Sequence, residues 1–155
     1  MRRTPLLAIA LLAIPIAAIA REQTPPAAMA RPTTPGEFVA QREARMGLGG
    51  GNLASMKEVA DAGGDLTALA PRIERLIQWS VDLPTLFPEG SDTAESGARP
   101  EVWSDRAGFE AAAERFQAAV RGLAAPAAAN DHAAFLTAWT AANDACSACH
   151  DHYRM

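Results

Sequence analysis

The sequence predicts an all-α fold, an antiparallel bundle of four helices. Alanine, the residue with the highest helix propensity, is the most frequent residue in the chain. Four segments place apolar residues three or four positions apart, which is typical of helices that bury one face. No segment alternates apolar and polar residues as a half-buried strand does. Two short connections and one long connection join the four segments, so neighbouring helices are expected to run antiparallel.

The first twenty residues have the features of a secretory signal peptide. Two arginines follow Met1, and an apolar run extends from Leu6 to Ala20 and ends in small residues. A membrane-spanning helix needs about 20 apolar residues, whereas this run is shorter and contains Pro15; an uncleaved anchor is the alternative interpretation. The sequence therefore divides into a signal peptide over 1–20, a flexible linker over 21–34 and a helical domain over 35–155.

The charge balance is acidic. The chain of 155 residues has a formal net charge of −4, which becomes −6 when Arg2 and Arg3 leave with the signal peptide. A nucleic-acid-binding domain normally carries a basic patch or an alkaline pI, so the composition argues against nucleic acid as a partner.

The first helical segment begins with a capping box. Thr34 is suited to the N-cap, Pro35 to the first helical position and Glu37 to closing the box. The segment extends to the glycine pair at 63–64. It is interrupted by a cluster of glycines, which indicates either a large group packed closely against the backbone or a flexible bend: Gly47, Gly49, Gly50 and Gly51.

The second and third segments are bounded by turn residues. Asp65 is suited to cap the second segment, and Pro71 is expected to kink this segment or to delay its start. It ends before Leu83. A long loop follows over 87–97. The third segment is expected to run as one helix between the prolines at its two ends, Pro100 and Pro126.

The fourth segment has the strongest helical pattern. Asn130 or Asp131 is expected to cap it. Its apolar residues follow at steps of 4, 3, 4, 3 and 4, which is typical of the inward face of a helix in a bundle: Phe135, Trp139, Ala142, Cys146, Cys149 and Tyr153.

The two cysteines and the histidine after them form the motif Cys146-Ser-Ala-Cys149-His150. This is the attachment signature of c-type haem. On a helix, thiols three residues apart lie on neighbouring turns and can both reach the vinyl groups of one porphyrin. His150 can then bind the iron. The spacing therefore favours a covalently bound haem.

Three other interpretations of the motif fit less well. A dithiol redox site is expected in a βαβ context, which the sequence does not show. A zinc site needs four ligands, and the other histidines, His132 and His152, are better interpreted as solvated polar residues. A structural disulfide between Cys146 and Cys149 would close a two-residue loop on a helix, which suits disulfide geometry poorly.

Three stretches together make the chain resemble the class II c-type cytochromes, specifically the cytochrome c′ family. They are Leu-Phe-Pro-Glu-Gly-Ser at 86–91, Ala-Arg-Pro-Glu-Val-Trp-Ser-Asp at 98–105 with Phe109, and the haem motif continued to Arg154. The family carries its haem motif at the C-terminal end of a four-helix bundle. The resemblance covers the chain from about Phe38 to Met155 and departs from the family pattern in the glycine-rich stretch over 47–56.

The resemblance implies roles on the proximal side of one haem c per chain. Cys146 and Cys149 would hold the haem through thioether bonds, and His150 would be the axial ligand of the iron. Arg154 matches a family arginine close to that ligand.

The resemblance also implies roles for the first helix. Arg42 matches an arginine that meets a haem propionate, and Glu43 would lie beside it at the haem edge. Met46 matches the position that covers the open face of the iron. We expect Met46 to pack there without ligating the iron; ligation is the alternative.

These features together predict a periplasmic electron-transfer protein that cycles between Fe(III) and Fe(II) and is not an enzyme. The expected partner is another redox protein, with no stable membrane insertion, and the resemblance implies a homodimer through the first two helices. The alternative is a protein that binds nitric oxide or carbon monoxide at an open or crowded sixth iron site. A peroxidase would need polar acid–base groups near the iron, where the first helix offers mainly Met46, Leu48 and glycines.

Overall fold

The computed structural model of the protein describes residues 31–155. The predicted signal peptide and most of the predicted linker lie outside these residues. The described chain forms six α-helices, of which four long ones build the bundle and two are short: α1 (Pro35–Asp61), α2 (Ala70–Asp82), α3 (Glu101–Ser104), α4 (Arg106–Arg121), α5 (Ala124–Ala128) and α6 (His132–Tyr153). The predicted all-α four-helix bundle is confirmed.

Helix α1 begins with the predicted capping box. The Thr34 hydroxyl oxygen accepts from the Glu37 N–H (3.3 Å), and the Glu37 carboxylate accepts from the Thr34 N–H (3.0 Å). The helix then continues through all of its glycines to Asp61, so the flexible bend is wrong. The chain turns after the helix at Gly63, which has a φ of +68° and so adopts a conformation that favours glycine.

Helix α2 starts late, as expected from Pro71. Asp65 first caps a short 3-10 helix, Leu66–Leu69, by accepting from the Thr67 N–H (2.9 Å). The α-helix begins only at Ala70, so that Pro71 stands in its first turn, where a missing N–H costs no helical hydrogen bond. A second 3-10 helix, Leu83–Leu86, follows α2.

The third segment is not one helix. The backbone leaves helical geometry at Asp105 (φ −115°, ψ 56°), whose carboxylate caps α4 by accepting from the Gly108 N–H (3.2 Å). The segment is therefore divided into α3 and α4. Helix α4 also ends at Arg121, and Pro126 lies inside the short helix α5 instead of closing the third segment.

Helix α6 confirms the predicted inward face. Asp131 is the N-cap and accepts from the Ala134 N–H (3.0 Å), whereas Asn130 adopts a φ of 51° and accepts from the Leu66 N–H (2.8 Å). Every residue of the predicted apolar row is either buried or packed against the core: Phe135, Trp139, Ala142, Cys146, Cys149 and Tyr153.

The core lies where α4 packs on α2 and α6 and where α1 packs on α6. Its side chains with the least exposure include Phe135, Met56 and Leu76. An isolated β-bridge between Ala98 and Arg154 holds the C-terminus against the loop after α2. Within residues 31–155, no helix combines the length and the apolar character that crossing a membrane requires.

Candidate functional site

The cysteine–histidine motif lines a cleft between α1 and α6. Two cavities, of about 580 and 600 Å³, meet there. Their walls share four residues, two from each helix: Met46, Gly50, Cys149 and His150. The structure therefore brings the predicted attachment residues and the predicted covering residue of the first helix to one site.

Both thiols are half-buried and free. Burial and the neighbouring Cys149 raise the pKa of Cys146 to about 11. Burial also raises the pKa of Cys149, partly offset by the positive charge of Arg115. Reactive dithiol sites depend on a lowered thiol pKa, so the electrostatics here do not suit the dithiol redox alternative.

His150 is half-buried and lies one helical turn before Arg154. Burial, followed by the positive charge of Arg154, lowers the pKa of the imidazole below its usual value. The neutral imidazole that these effects favour is the form that ligates metals. The Arg154 N–H donates to the His150 carbonyl oxygen (3.0 Å), and the exposed Arg154 side chain lines the larger cavity.

Arg42 is buried, with 5% of its surface exposed. Its Nη1 donates to the Leu86 carbonyl oxygen (3.1 Å) and to the Ser91 hydroxyl (2.8 Å). Its Nη2 donates to the Ser91 carbonyl oxygen (2.8 Å) and to the Ser96 hydroxyl (2.9 Å). The guanidinium also lies 4.7 Å from the centre of the Phe87 ring.

These contacts show a role for Arg42 that the sequence reasoning missed, since the guanidinium holds the long loop after α2 against α1. Arg42 also lines the 600 Å³ cavity, as does the exposed Glu43. The propionate contact implied by the resemblance therefore stays a prediction. A propionate would have to share the guanidinium of Arg42 with the loop. Ser91 ends one of the stretches that carry the family resemblance, but nothing in the sequence indicated that it or Ser96 would contact Arg42, because serines in a loop are common.

Met46 is half-buried and packs against the core while lining both cavities. The glycines near it differ from one another. A Cβ atom on Gly49 would lie 2.8 Å from a ring carbon of Trp79, so close packing requires a glycine there. A Cβ atom on Gly50 or Gly47 would meet no heavy atom within 4 Å.

Trp139 forms another part of the wall that sequence reasoning did not single out as functional. Its Nε1 donates to the Leu53 carbonyl oxygen (2.7 Å), and the Lys57 ammonium lies 5.6 Å from the centre of its rings. The indole therefore joins α6 to α1 beside the cleft. Its place in the apolar row of α6 predicted its burial but not this hydrogen bond.

The remaining histidines lie elsewhere. His132 is half-buried and its Nδ1 lies 3.0 Å from the Ala60 carbonyl oxygen, so its interpretation as a solvated residue is wrong. His152 is exposed, and its ring meets Tyr153 edge-on at 4.7 Å. Within the described part of the chain, no group of three or more His, Cys, Asp or Glu side chains is arranged to hold a metal ion.

The cleft suits a covalently bound haem. It combines two thiols on neighbouring turns, a histidine whose neutral form is favoured, and apolar walls that include Leu53, Phe116 and Trp139. Open space beside Gly50 adds room on the α1 side. A haem-attachment motif in the last helix of a four-helix bundle defines the class of the protein as a class II c-type cytochrome.

The chain belongs to the cytochrome c′ family. The family model described as Cytochrome C′ matches residues 37–154. As a member of this family, the protein binds haem c. The family assignment rests on the whole bundle, since the match extends from the first turn of α1 to the residue after α6.

Two curated relatives illustrate the extent of the similarity. A cytochrome c′ from Rubrivivax gelatinosus is 42% identical over 71 residues, which span 45% of this chain and 55% of the relative. One from Pararhodospirillum photometricum is 29% identical over 119 residues, which span 76% of this chain and 95% of the relative. The first alignment thus covers about half of that relative's length.

Solved structures give the same result for the fold. The cytochrome c′ of Rubrivivax gelatinosus has a TM-score of 0.71 and 31% identity, and the match covers 79% of this chain and 98% of the other. A ferrous variant of cytochrome c′ from Alcaligenes xylosoxidans with bound nitric oxide has a TM-score of 0.73 and 28% identity, with the same two coverages.

Proposed function

We propose that the protein is an electron carrier whose haem c is bound through Cys146 and Cys149, with His150 as the axial ligand of the iron. The observation that carries the proposal is the position of these three residues on the cleft wall opposite Met46 and Gly50. When bound, the haem supplies the one-electron Fe(III)/Fe(II) couple. The protein has a carrier role and catalyses no reaction of its own.

The residues of the chain contribute the environment of this couple. The apolar walls exclude water and limit the reorganisation that accompanies a change of charge. Burial favours the neutral imidazole of His150, which is ready to ligate. Arg154 adds a positive charge one turn away, and Arg42 and Glu43 lie in the region proposed for the propionates. Hydrogen bonds and charges of this kind tune the potential of a bound metal.

Expression with a c-type haem maturation system tests the attachment. We expect wild-type protein to keep its haem under denaturing conditions. The Cys146→Ser/Cys149→Ser variant should lose it, whereas Ser147→Ala, on the exposed side of the same turn, should keep it. His150→Ala should retain covalent haem but lose the absorption bands of the native ligand set. Covalent haem in the double serine variant would contradict the assignment.

Electron transfer itself is tested by redox cycling of the purified holoprotein. A spectroelectrochemical titration should show a reversible one-electron couple, and stopped-flow mixing should show rapid reduction and reoxidation without loss of haem. A protein that cannot be reoxidised reversibly in the absence of oxygen would not be an electron carrier.

A second candidate function is the binding of nitric oxide or carbon monoxide at the iron face that α1 covers. The position of Met46, which packs against the core while lining both cavities, favours it, and relatives with bound nitric oxide support it. Packing of Met46 without ligation would leave a site for the gas, while ligation by Met46 would favour electron transfer alone. Absorption spectra of the ferrous protein with and without each gas distinguish these cases.

The proposed place of action is the periplasm, after removal of residues 1–20 and with 21–34 as a linker to the domain over 35–155. Mass spectrometry of the protein from a periplasmic fraction tests this proposal. We expect a mature chain that starts near residue 21. A full-length chain that remains in the membrane fraction would favour the uncleaved anchor.

The proposed partners are a second redox protein and, in the resting state, a second copy of the chain. The exposed apolar side chains of Leu48 on α1 and Val81 on α2 support a homodimer through these helices. Light scattering should give a dimer for wild-type protein and a monomer for Leu48→Glu. A wild-type monomer at high concentration would rule out this contact.

A further inference from the structure

We infer that a cavity between α1 and α2 binds a small oxyanion with several negative charges. The cavity has a volume of about 590 Å³, and the cysteine–histidine motif does not line it. Gly49 and Trp79 line this cavity and also the smaller cavity of the cleft. The inference goes beyond the proposed electron transfer and does not depend on it, because the arginines involved line neither cavity of the cleft.

The charge of the lining is the first argument. Three arginines line the cavity, Arg45 from α1 and Arg72 and Arg75 from α2, whereas no carboxylate does. Without residues 1–20 the formal charge of the chain is −6, so a cavity lined by cations alone stands out against an acidic background. A concave site lined by one sign of charge concentrates ions of the opposite sign.

The free donors of these arginines are the second argument. Neither Arg72 nor Arg75 forms an ion pair with a described carboxylate. Arg72 donates from Nη1 to the Ser55 hydroxyl (3.2 Å). The Arg45 Nη1 lies 3.7 Å from an Asp82 carboxylate oxygen, which is too far for a hydrogen bond. Because a guanidinium has five N–H donors, most of these donors remain available to a ligand.

The arrangement of the arginines favours an anion with more than one charged group. Arg72 and Arg75 are three residues apart and therefore lie on the same side of α2. Arg72 lies near the start of α2, beside Ser55 of α1. Arg45 lies near the end of α2, since its guanidinium is beside Asp82. The positive groups are thus distributed along the cavity, and guanidinium groups pair well with the oxygens of phosphate and carboxylate groups.

A second copy of the chain is the alternative occupant of the cavity. Leu48 lines the cavity and also belongs to the proposed dimer contact. In a dimer with twofold symmetry, the same face of both copies meets. The arginines of the two copies would then repel each other unless an anion neutralised them. The charge therefore favours an anion over a second copy.

Isothermal titration calorimetry of the holoprotein with tripolyphosphate at low salt tests the inference. Orthophosphate is the reference with a single phosphate group. Wild-type protein should bind one tripolyphosphate per chain, and it should bind tripolyphosphate more tightly than orthophosphate. Added sodium chloride should weaken the binding, because it screens exposed charges.

Arg72→Gln/Arg75→Gln should lower the affinity for tripolyphosphate by about tenfold or more, since the loss of a hydrogen bond between charged groups has an effect of that order. Arg99→Gln/Arg121→Gln is the matched control. It removes the same charge from two arginines that line none of the three cavities, and its affinity should change little. All four arginines are exposed, so both variants should fold, which their thermal unfolding temperatures verify.

Light scattering of the same samples distinguishes the anion from the second copy. We expect tripolyphosphate to bind without dissociating a dimer. Dissociation in step with binding would assign the cavity to the second copy and overturn the inference. Absence of binding by wild-type protein, equal losses in the two double variants, or binding of orthophosphate as tight as that of tripolyphosphate would also overturn it. These outcomes leave the proposed haem attachment and electron transfer untouched.

Discussion

At the scale of single residues, Arg154 is the charge most closely associated with the proposed axial ligand. It lies one turn after His150 and contributes to the lowered pKa of that imidazole. A positive charge near the iron destabilises Fe(III) more than Fe(II), because the oxidised centre carries one more positive charge. Arg154 should therefore raise the reduction potential.

Replacing Arg154 by glutamine should lower the reduction potential of the holoprotein by tens of millivolts, and added salt should diminish the difference because Arg154 is exposed. A spectroelectrochemical titration measures the shift. Arg121→Gln removes the same charge at the end of α4. The start of α4 lies beside the end of α6, because the Tyr153 hydroxyl donates to the Asp105 carboxylate (3.1 Å). Arg121, at the other end of α4, therefore lies towards the opposite end of the bundle. Equal shifts in both variants would contradict a local effect of Arg154.

Arg42 provides a second prediction at this scale, concerning stability. Arg42→Leu would leave buried oxygens of Ser91 and Ser96 without their donor, and a buried acceptor left without its partner costs about 1–3 kcal/mol. The free energy of unfolding, measured with urea, should fall accordingly. Hydrogen exchange in the loop over 87–97 should become faster, since the guanidinium joins that loop to α1.

Arg45→Leu is the matched control for Arg42. Arg45 is on the same helix, but its Nη1 lies 3.7 Å from an Asp82 carboxylate oxygen in a partly exposed pair. Such pairs contribute about 0–1 kcal/mol. A loss of stability in Arg42→Leu no larger than that in Arg45→Leu would refute the proposed role of the buried network.

At the scale of secondary-structure elements, the glycines of α1 have different functions within one continuous helix. Gly51→Ala should stabilise the protein by up to about 1 kcal/mol, because alanine has the higher helix propensity and the added Cβ meets no heavy atom. Gly49→Ala should destabilise it, because the same methyl group would press on Trp79. The thermal unfolding temperature should therefore rise in Gly51→Ala and fall in Gly49→Ala. A rise in both variants would show that Trp79 moves aside freely.

The sequence predicted the elements whose determinants are local. The capping box at Thr34 and the delayed start of α2 at Pro71 each depend on residues within a turn of one another. The inward row of α6 follows from its spacing, which is why the packing of Cys146 and Cys149 against the core was predictable. The motif itself predicted the cofactor, since its spacing matches the chemistry of haem attachment.

The remaining features depend on contacts that are distant along the chain. The break at Asp105 was missed because apolar spacing continues across it, while the carboxylate caps α4 and also accepts from the Tyr153 hydroxyl (3.1 Å). Arg42 meets serines that follow it by 49 and 54 positions. The need for a glycine at position 49 was also unpredictable, because it depends on where Trp79 lies.

At the scale of the whole molecule, the few aromatic residues are concentrated beside the cleft. Phe109 is in edge contact with Phe87 (4.9 Å) and with Tyr153 (5.4 Å), and Phe87 also supports Arg42. Only 6% of the residues are aromatic, and this group of rings, Phe87, Phe109 and Tyr153, lines the larger cavity beside the motif. We therefore expect bound haem to pack against these rings.

The net charge of the molecule leads to a prediction about its redox partners. Without residues 1–20, the formal charge is −6, so a cationic oxidant should be attracted and an anionic one repelled. Raising the salt concentration from about 0.01 M to about 1 M shortens the Debye length from about 30 Å to about 3 Å. The rate of oxidation of the ferrous holoprotein by hexaammineruthenium(III) should therefore fall with salt, and that by ferricyanide should rise.

Stopped-flow measurements at several salt concentrations test this prediction, and two single-charge variants separate the cleft from the whole surface. Glu58 lines the smaller cavity of the cleft, whereas Glu74 is exposed on α2. If electrons leave the haem through the cleft, Glu58→Gln should weaken the salt dependence more than Glu74→Gln does. Equal effects would mean that net charge alone steers the oxidant. A rate with the cationic oxidant that rises with salt would show that a positive patch controls the encounter, and the expected class of partner would then be acidic.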